Sequence, residues 1–183
     1  MKRKRLLIDV DEVICDFQTP AFEIVYRLYG KRLSPFDFNT WNIFEGFSDS
    51  EQNAIYKEIN KPGYCSALAP MPGAIEAVRE LRKYVDVYPV TSPVHSPTWV
   101  YERYIWLQKY FGFNKKEVII TGSKFLIAGD ALLDDNPEHV TSWLEEYPDK
   151  LGMLWDIPNT HLLKQYDRFR VYNWEEVIKR IVP

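Results

Sequence analysis

Short apolar runs and helical patterns alternate along most of this chain, and that alternation constrains its fold more than any other feature. Residues 73–83 follow a helical period, 85–90 read as a strand, 96–111 as a helix stopped by Gly112, and 117–121 as a strand. A short strand at 131–133, a helix at 137–146, a strand at 151–155 and a final helix at 174–181 continue the series. The continuous apolar run at 5–10 adds a central, fully buried strand. Strand followed by helix, repeatedly, implies a mostly parallel sheet with helices on both faces. Ligands of such sheets bind beyond the carboxyl ends of the strands, so polar residues that directly follow strands carry the functional information.

The first of those ends is crowded with charge. In RLLIDVDEVICDF, Asp9, Asp11, Glu12 and Asp16 stand almost side by side behind the apolar run. Burying such carboxylates unpaired costs on the order of several kcal/mol each, and a cation is expected to hold them together. Three more strand ends are polar: Thr91 and Ser92 follow VYPV, Lys124 follows VIITGS, and Asp134 and Asp135 follow ALL. Each signal alone is more often structural, because a DxD arises by chance, Thr-Ser caps helices, and Asp-Asp-Asn-Pro makes a turn and helix start. All four together, in this order, fit phosphoryl transfer assisted by a hard cation. Mg²⁺ takes oxygen ligands and keeps several waters, so two or three carboxylate or carbonyl oxygens suffice. A carboxylate can attack phosphorus covalently. A hydroxyl, backbone amides and a lysine neutralise the phosphoryl oxygens as charge shifts.

The order DVDEV, VTSP, Lys124 and LLDDNP resembles the haloacid dehalogenase superfamily of aspartate-nucleophile phosphatases, and within it the 5′(3′)-deoxyribonucleotidases. The similarity extends through DVDEVICDF, PMPGAIEAVREL, VTSP, YERYIWLQKYFG and SKFLIAGDALLDDNP, leaving only the insert and roughly the last 30 residues without a motif match. It implies a Rossmannoid three-layer α/β/α core and Mg²⁺-dependent hydrolysis of deoxyribonucleoside monophosphates through an aspartyl-phosphate. Asp9 would be nucleophile and metal ligand. Asp11 would be the acid and later the base, its backbone carbonyl touching the metal. Asp135 would bind Mg²⁺ directly, with Asp134 in support through water or hydrogen bonds. Thr91, Ser92 and Lys124 would contact the phosphate. Arg103 falls where the family has a basic residue over the active-site mouth, and Phe17 where it has an aromatic near the nucleoside. One departure stands out: the family usually has Gly where this chain has Glu12. The expectation is a backbone there open to L-residues, with an acidic side chain able to reach the pocket and alter substrate choice. The same chemistry on another small phosphate, or on the 3′-phosphate of a DNA end, is the nearer alternative. An idle nucleotide-binding protein is the more distant one.

The segment 18–69 reads as a small helical cap inserted after the first strand, with 1–17 and 70–183 forming the catalytic core. It opens with a helical pattern at 20–29 stopped by Gly30, dissolves into a loop at 31–46, and resumes with a capping-box helix at 48–60. Its rings Phe36, Phe38, Trp41, Phe44 and Phe47 are mostly the cap's own core. Trp41 and Phe44 are expected to line the pocket, where a nucleobase offers a π-face.

The remaining features mainly exclude. A chain of 183 residues supports one full core, and a formal net charge of −3 argues against stable nucleic-acid or membrane binding. MKRKR followed by LLI superficially suggests a signal peptide, but Asp9 and Asp11 interrupt the apolar run, so it reads as a solvated lead-in. A soluble cytoplasmic protein is expected, with Cys15 and Cys65 as free buried thiols. His95, His139 and His161 lack metal spacing and read as surface or capping residues, His95 alone standing near the site. Trp99, Tyr101 and Tyr104 could serve a homodimer or equally be core.

Overall fold

The computed structural model describes residues 3–182; Met1 and Lys2 of the basic lead-in, and Pro183, lie outside the described residues. Strands are β1 (Arg5–Ile8), β2 (Cys15–Asp16), β3 (Ala69–Pro70), β4 (Asp86–Thr91), β5 (Ile119–Ile120), β6 (Ala131–Asp134), β7 (Leu151–Trp155) and β8 (Arg170–Val171). Six of them form one parallel sheet in the order β5-β4-β1-β6-β7-β8. Helices are α1 (Gln18–Tyr29), α2 (Asp49–Ile59), α3 (Tyr64–Ala67), α4 (Ala74–Leu81), α5 (Trp99–Phe111), α6 (Pro137–Glu146) and α7 (Trp174–Ile181). β2, β3 and β8 have no counterpart in the sequence reading, since each spans two residues outside any apolar run of strand length, whereas the two-residue β5 sits within the run predicted at 117–121.

The period-2 rule sorts the central strands onto two faces. Leu6 and Ile8 of β1 and Ala131 and Leu133 of β6 point into the large core, where Val78, Trp99, Trp106 and Val177 arrive from α4, α5 and α7. Leu7 and Leu132 point the other way, against Trp143 of α6. The result is the expected three-layer α/β/α sandwich. Gly152 of β7 is required by this packing, since a Cβ there would lie 2.6 Å from the Leu144 side chain.

β1 sits at the centre, flanked by β4 on one side and β6 on the other. The chain therefore reverses its winding at β1, and the carboxyl ends of these three strands open a crevice. Between β2 and β3, which pair antiparallel, the chain runs out through α1, a 3₁₀ turn at Pro35–Asp37, α2 and α3, and returns. The capping box at Ser48 and Glu51 forms as the sequence predicts. α5 holds the return segment: Trp106 Nε1 donates to Leu68 O at 2.7 Å, and Glu102 accepts from the Gly63 and Ser66 amides. Trp99 is core and Tyr101 is exposed. Both cysteines are free and buried. Among the described residues, no helix is long and apolar enough to cross a membrane.

Candidate active site

The crevice holds a cavity of about 200 Å³ lined by Asp9, Asp11, Glu12, Phe17, Ser92, Lys124 and Asp135 from one side, with Trp41, Phe44 and Tyr56 from the other. Carboxylate oxygens of Asp9, Asp134 and Asp135 lie within 4.8 Å of one another, all three residues buried. The Lys124 ammonium, itself buried, sits 2.6 Å from both Asp9 Oδ1 and Asp134 Oδ2. Three carboxylates against one ammonium leave two negative charges if all are ionised. That imbalance shows in the protonation behaviour. Burial, then the Asp134 charge, push the Asp9 carboxyl up to about 6, and burial, then the Asp9 charge, raise Asp135 well above the carboxylate range. Asp134 goes down despite its burial, held by Lys124 and His139. A clustered, all-oxygen donor set short of two positive charges fits a divalent hard cation.

The four carboxylates after β1 do not share one counter-charge, which corrects the expectation that a single cation holds them together. Asp9 alone joins the acidic cluster. Asp11 Oδ1 is ion-paired with Arg103 Nη2. Glu12 Oε1 accepts from the Phe17 and Gln18 amides at 2.9 and 2.7 Å, and Asp16 Oδ1 accepts from the Thr19 amide at 3.1 Å. These two therefore cap α1, where anions also meet the positive end of the helix dipole.

Glu12 is the one non-glycine residue with positive φ among those described, at 57°. This overturns the expectation of an ordinary backbone: the position keeps the left-handed conformation that suits Gly, and a glutamate occupies it. Its side chain lines the cavity but is committed to the start of α1. Burial pushes its carboxyl up to about 7.

Arg103 is the third correction. It lies fully buried, not over the mouth, with its guanidinium 4.7 Å from the Trp99 ring and 5.6 Å from the Trp106 ring. The reason is helical spacing: Trp99, Arg103 and Trp106 share the inward stripe of α5, so Arg103 reaches Asp11 from beneath. Thr91 is also fully buried, its Oγ1 without a partner, while the neighbouring Ser92 faces the cavity. The fourth correction concerns histidine. His95 is exposed, whereas His139 lines the cavity and sets Nδ1 3.2 Å from Asp134 Oδ1.

Of the inserted rings, Trp41 and Phe44 line the cavity as the sequence suggests, and Phe17 joins them. Phe38 stacks on Phe22, Phe47 packs against Phe44 and Tyr29, and Phe36 points outward, 79% exposed. Two amide side chains escaped the sequence reading. Asn159, fully buried in the 3₁₀ turn Pro158–Thr160, donates through Nδ2 to the Thr40 and Trp41 carbonyls at 2.9 and 3.2 Å. Its Oδ1 accepts from Gln18 Nε2 at 3.2 Å. Nothing but a Pro-Asn-Thr turn signal marked it in the sequence.

A family model described as 5′ nucleotidase, deoxy (pyrimidine), cytosolic type C protein matches residues 3–183. The human mitochondrial 5′(3′)-deoxyribonucleotidase is 30% identical over 195 residues, covering 97% of this chain and 82% of that protein. A candidate 5′(3′)-deoxyribonucleotidase of Staphylococcus epidermidis is 28% identical, covering 97% of this chain and 95% of its own. Among solved structures, a haloacid dehalogenase-like hydrolase from Streptococcus pneumoniae superposes with a TM-score of 0.67 at 11% identity, over 97% of this chain and 98% of that one. A candidate hydrolase of the same type from Bacillus subtilis, solved bound to magnesium, gives 0.59 at 16% identity over the whole of both chains.

Proposed function

Because the chain belongs to the 5′ nucleotidase, deoxy (pyrimidine), cytosolic type C family and is a phosphatase of the haloacid dehalogenase fold, we propose that it hydrolyses deoxyribonucleoside monophosphates with Mg²⁺, through an aspartyl-phosphate on Asp9. The observation that carries this reading is the buried Asp9–Asp134–Asp135 cluster with Lys124 at its centre. Asp9, Asp134 and Asp135 would hold the cation, which when bound would offset their charge and that of the phosphoryl oxygens.

An Asp9 oxygen attacks phosphorus as the bond from phosphorus to the nucleoside oxygen breaks, and Asp11 gives its proton to that leaving oxygen. Asp11 then takes a proton from water, whose oxygen attacks phosphorus. The Asp9–phosphorus bond breaks and inorganic phosphate leaves. Ser92 and Lys124, which line the cavity, donate to the phosphoryl oxygens, and Arg103 holds Asp11 from beneath. Residues 18–69 act as the cap, with Phe17, Trp41 and Phe44 offering apolar faces to the nucleoside.

The test is phosphate release from a panel of deoxyribonucleoside and ribonucleoside monophosphates, 3′-monophosphates and sugar phosphates, with Mg²⁺ or EDTA, beside Asp9→Asn. Release from deoxyribonucleotides that disappears with EDTA and falls at least ~10³-fold in Asp9→Asn is expected. A preference for sugar phosphates would keep the chemistry and overturn the substrate. Nucleotide binding without release from anything would overturn the enzyme reading.

A further inference from the structure

The wall opposite the carboxylates contains a contact that stacking on a base does not explain. The Trp41 indole Nε1 donates to Asp135 Oδ2 at 2.8 Å. Trp41 belongs to no helix or strand, and its side chain is 42% exposed. A ring so placed would ordinarily be free to turn. Its backbone is held instead: the carbonyls of Thr40 and Trp41 both accept from the buried Asn159 amide, which is locked in turn by Gln18 of α1. The His139 ring lies 6.3 Å away, tilted at 56°.

We propose that Trp41 is a positioning residue for the metal-binding carboxylate Asp135, its N–H fixing one oxygen so that the other faces Asp9 and Asp134. This rests on the metal reading of the cluster given above. A carboxylate with both oxygens free can rotate between productive and unproductive orientations, and an N–H on one oxygen removes that freedom. Outer partners of this kind commonly carry ~10- to 100-fold of a site's metal affinity. Indole is a donor only, and a phenyl ring is neither donor nor acceptor. Trp41→Phe therefore deletes the N–H while keeping an aromatic face for a base, and separates positioning from stacking.

Mn²⁺ affinity is measured by electron paramagnetic resonance without nucleotide, on wild type, Trp41→Phe, Trp41→Ala and Asp135→Asn, each checked for native circular dichroism. The expected result is ~10-fold weaker binding in both Trp41→Phe and Trp41→Ala, with a larger loss in Asp135→Asn. Because Trp41 is half exposed, Trp41→Phe removes little core packing and is expected to fold. Trp41→Phe within twofold of wild type overturns the inference and leaves the metal reading standing. A wild-type protein that binds no Mn²⁺, or an Asp135→Asn variant that binds it as well as wild type, overturns the metal reading and this inference with it.

Discussion

The two walls of the cavity are built by different physics. On the sheet side, Asp9, Asp134 and Asp135 stand at the ends of β1 and β6, Lys124 at the start of a 3₁₀ turn, and none of these four residues is more than 7% exposed. Ladder hydrogen bonds and the apolar core fix their backbone, so their geometry follows from the fold. On the inserted side, Trp41 and Phe44 come from irregular chain between a 3₁₀ turn and α2. That wall is positioned by a few side chain–to–backbone bonds, above all from Asn159. The sheet side carries charge and is rigid by construction. The inserted side carries shape, and its rigidity comes from those bonds and from the packing of Phe44 against Phe47 and Tyr56. Changes to the first wall should therefore cost chemistry and stability together, and changes to the second recognition and, through the Trp41–Asp135 bond, metal affinity.

The sharpest break is Lys124→Met. It leaves three buried carboxylates without their ammonium, and removing one partner of such a buried arrangement typically costs about 3–5 kcal/mol. We expect that loss in urea unfolding without divalent metal, and at least ~10²-fold lower turnover with Mg²⁺. Wild-type stability in that variant would mean the cluster is held by something other than Lys124. Arg103→Met sits one layer deeper and should behave differently. Asp11 keeps 29% side-chain exposure, so it is not stranded without water when the guanidinium goes. The expected outcome is a kcat lowered roughly 10- to 100-fold with KM nearly unchanged, since Asp11 loses its orientation. A raised KM with intact kcat would return Arg103 to the substrate-facing role that the sequence suggested.

Asn159→Ala tests the second wall. It removes two donors to the loop and strands Gln18, whose Oε1 is already unpartnered. Leaving such groups buried costs about 1–3 kcal/mol. Nucleotide KM should rise several-fold while kcat changes less. Steady-state kinetics beside thermal melting would check both, and an effect on kcat alone would mean that this wall is part of the chemical machinery.

The same division explains what could be read from the sequence. The sheet wall was legible because a buried strand announces itself as an apolar run, and a carboxylate directly after it has one place to go. Asp9, Asp134 and Asp135 converge for that reason, and the three layers follow from the alternation of strand and helix. Arg103 was misread although the signal existed: Trp99 and Trp106 flank it on one helical stripe, and a cation on that stripe must be inside. His139 was missed because the first turn of α6 swings it back over Asp134, five residues earlier, a consequence of how the Asn136 cap orients the helix. Asn159 and Gln18 are 141 residues apart, and no local pattern encodes their bond.

Glu12 joins the two walls and gives the smallest expected effect. It follows Asp11 on the sheet side and caps the helix that leads into the insert. A left-handed backbone costs an L-residue about 1–2 kcal/mol, and an N-terminal cap returns about 0.5–2 kcal/mol. Glu12→Gly relieves the strain and loses the cap, while the more flexible unfolded chain adds a penalty of about 0.4–1 kcal/mol. These nearly cancel, so Glu12→Gly should be close to neutral. Glu12→Ala keeps the strain and still loses the cap, and should lie ~1 kcal/mol below the glycine variant, or ~2–4 °C in Tm for a chain of this size. Equal stability of the two would mean that φ at this position carries no strain worth relieving. The predicted order, wild type and Gly together above Ala, would show how a glutamate can stand at a glycine position beside the acid: its carboxylate offsets the backbone conformation by holding α1, and Phe17 and Gln18 with it, in place.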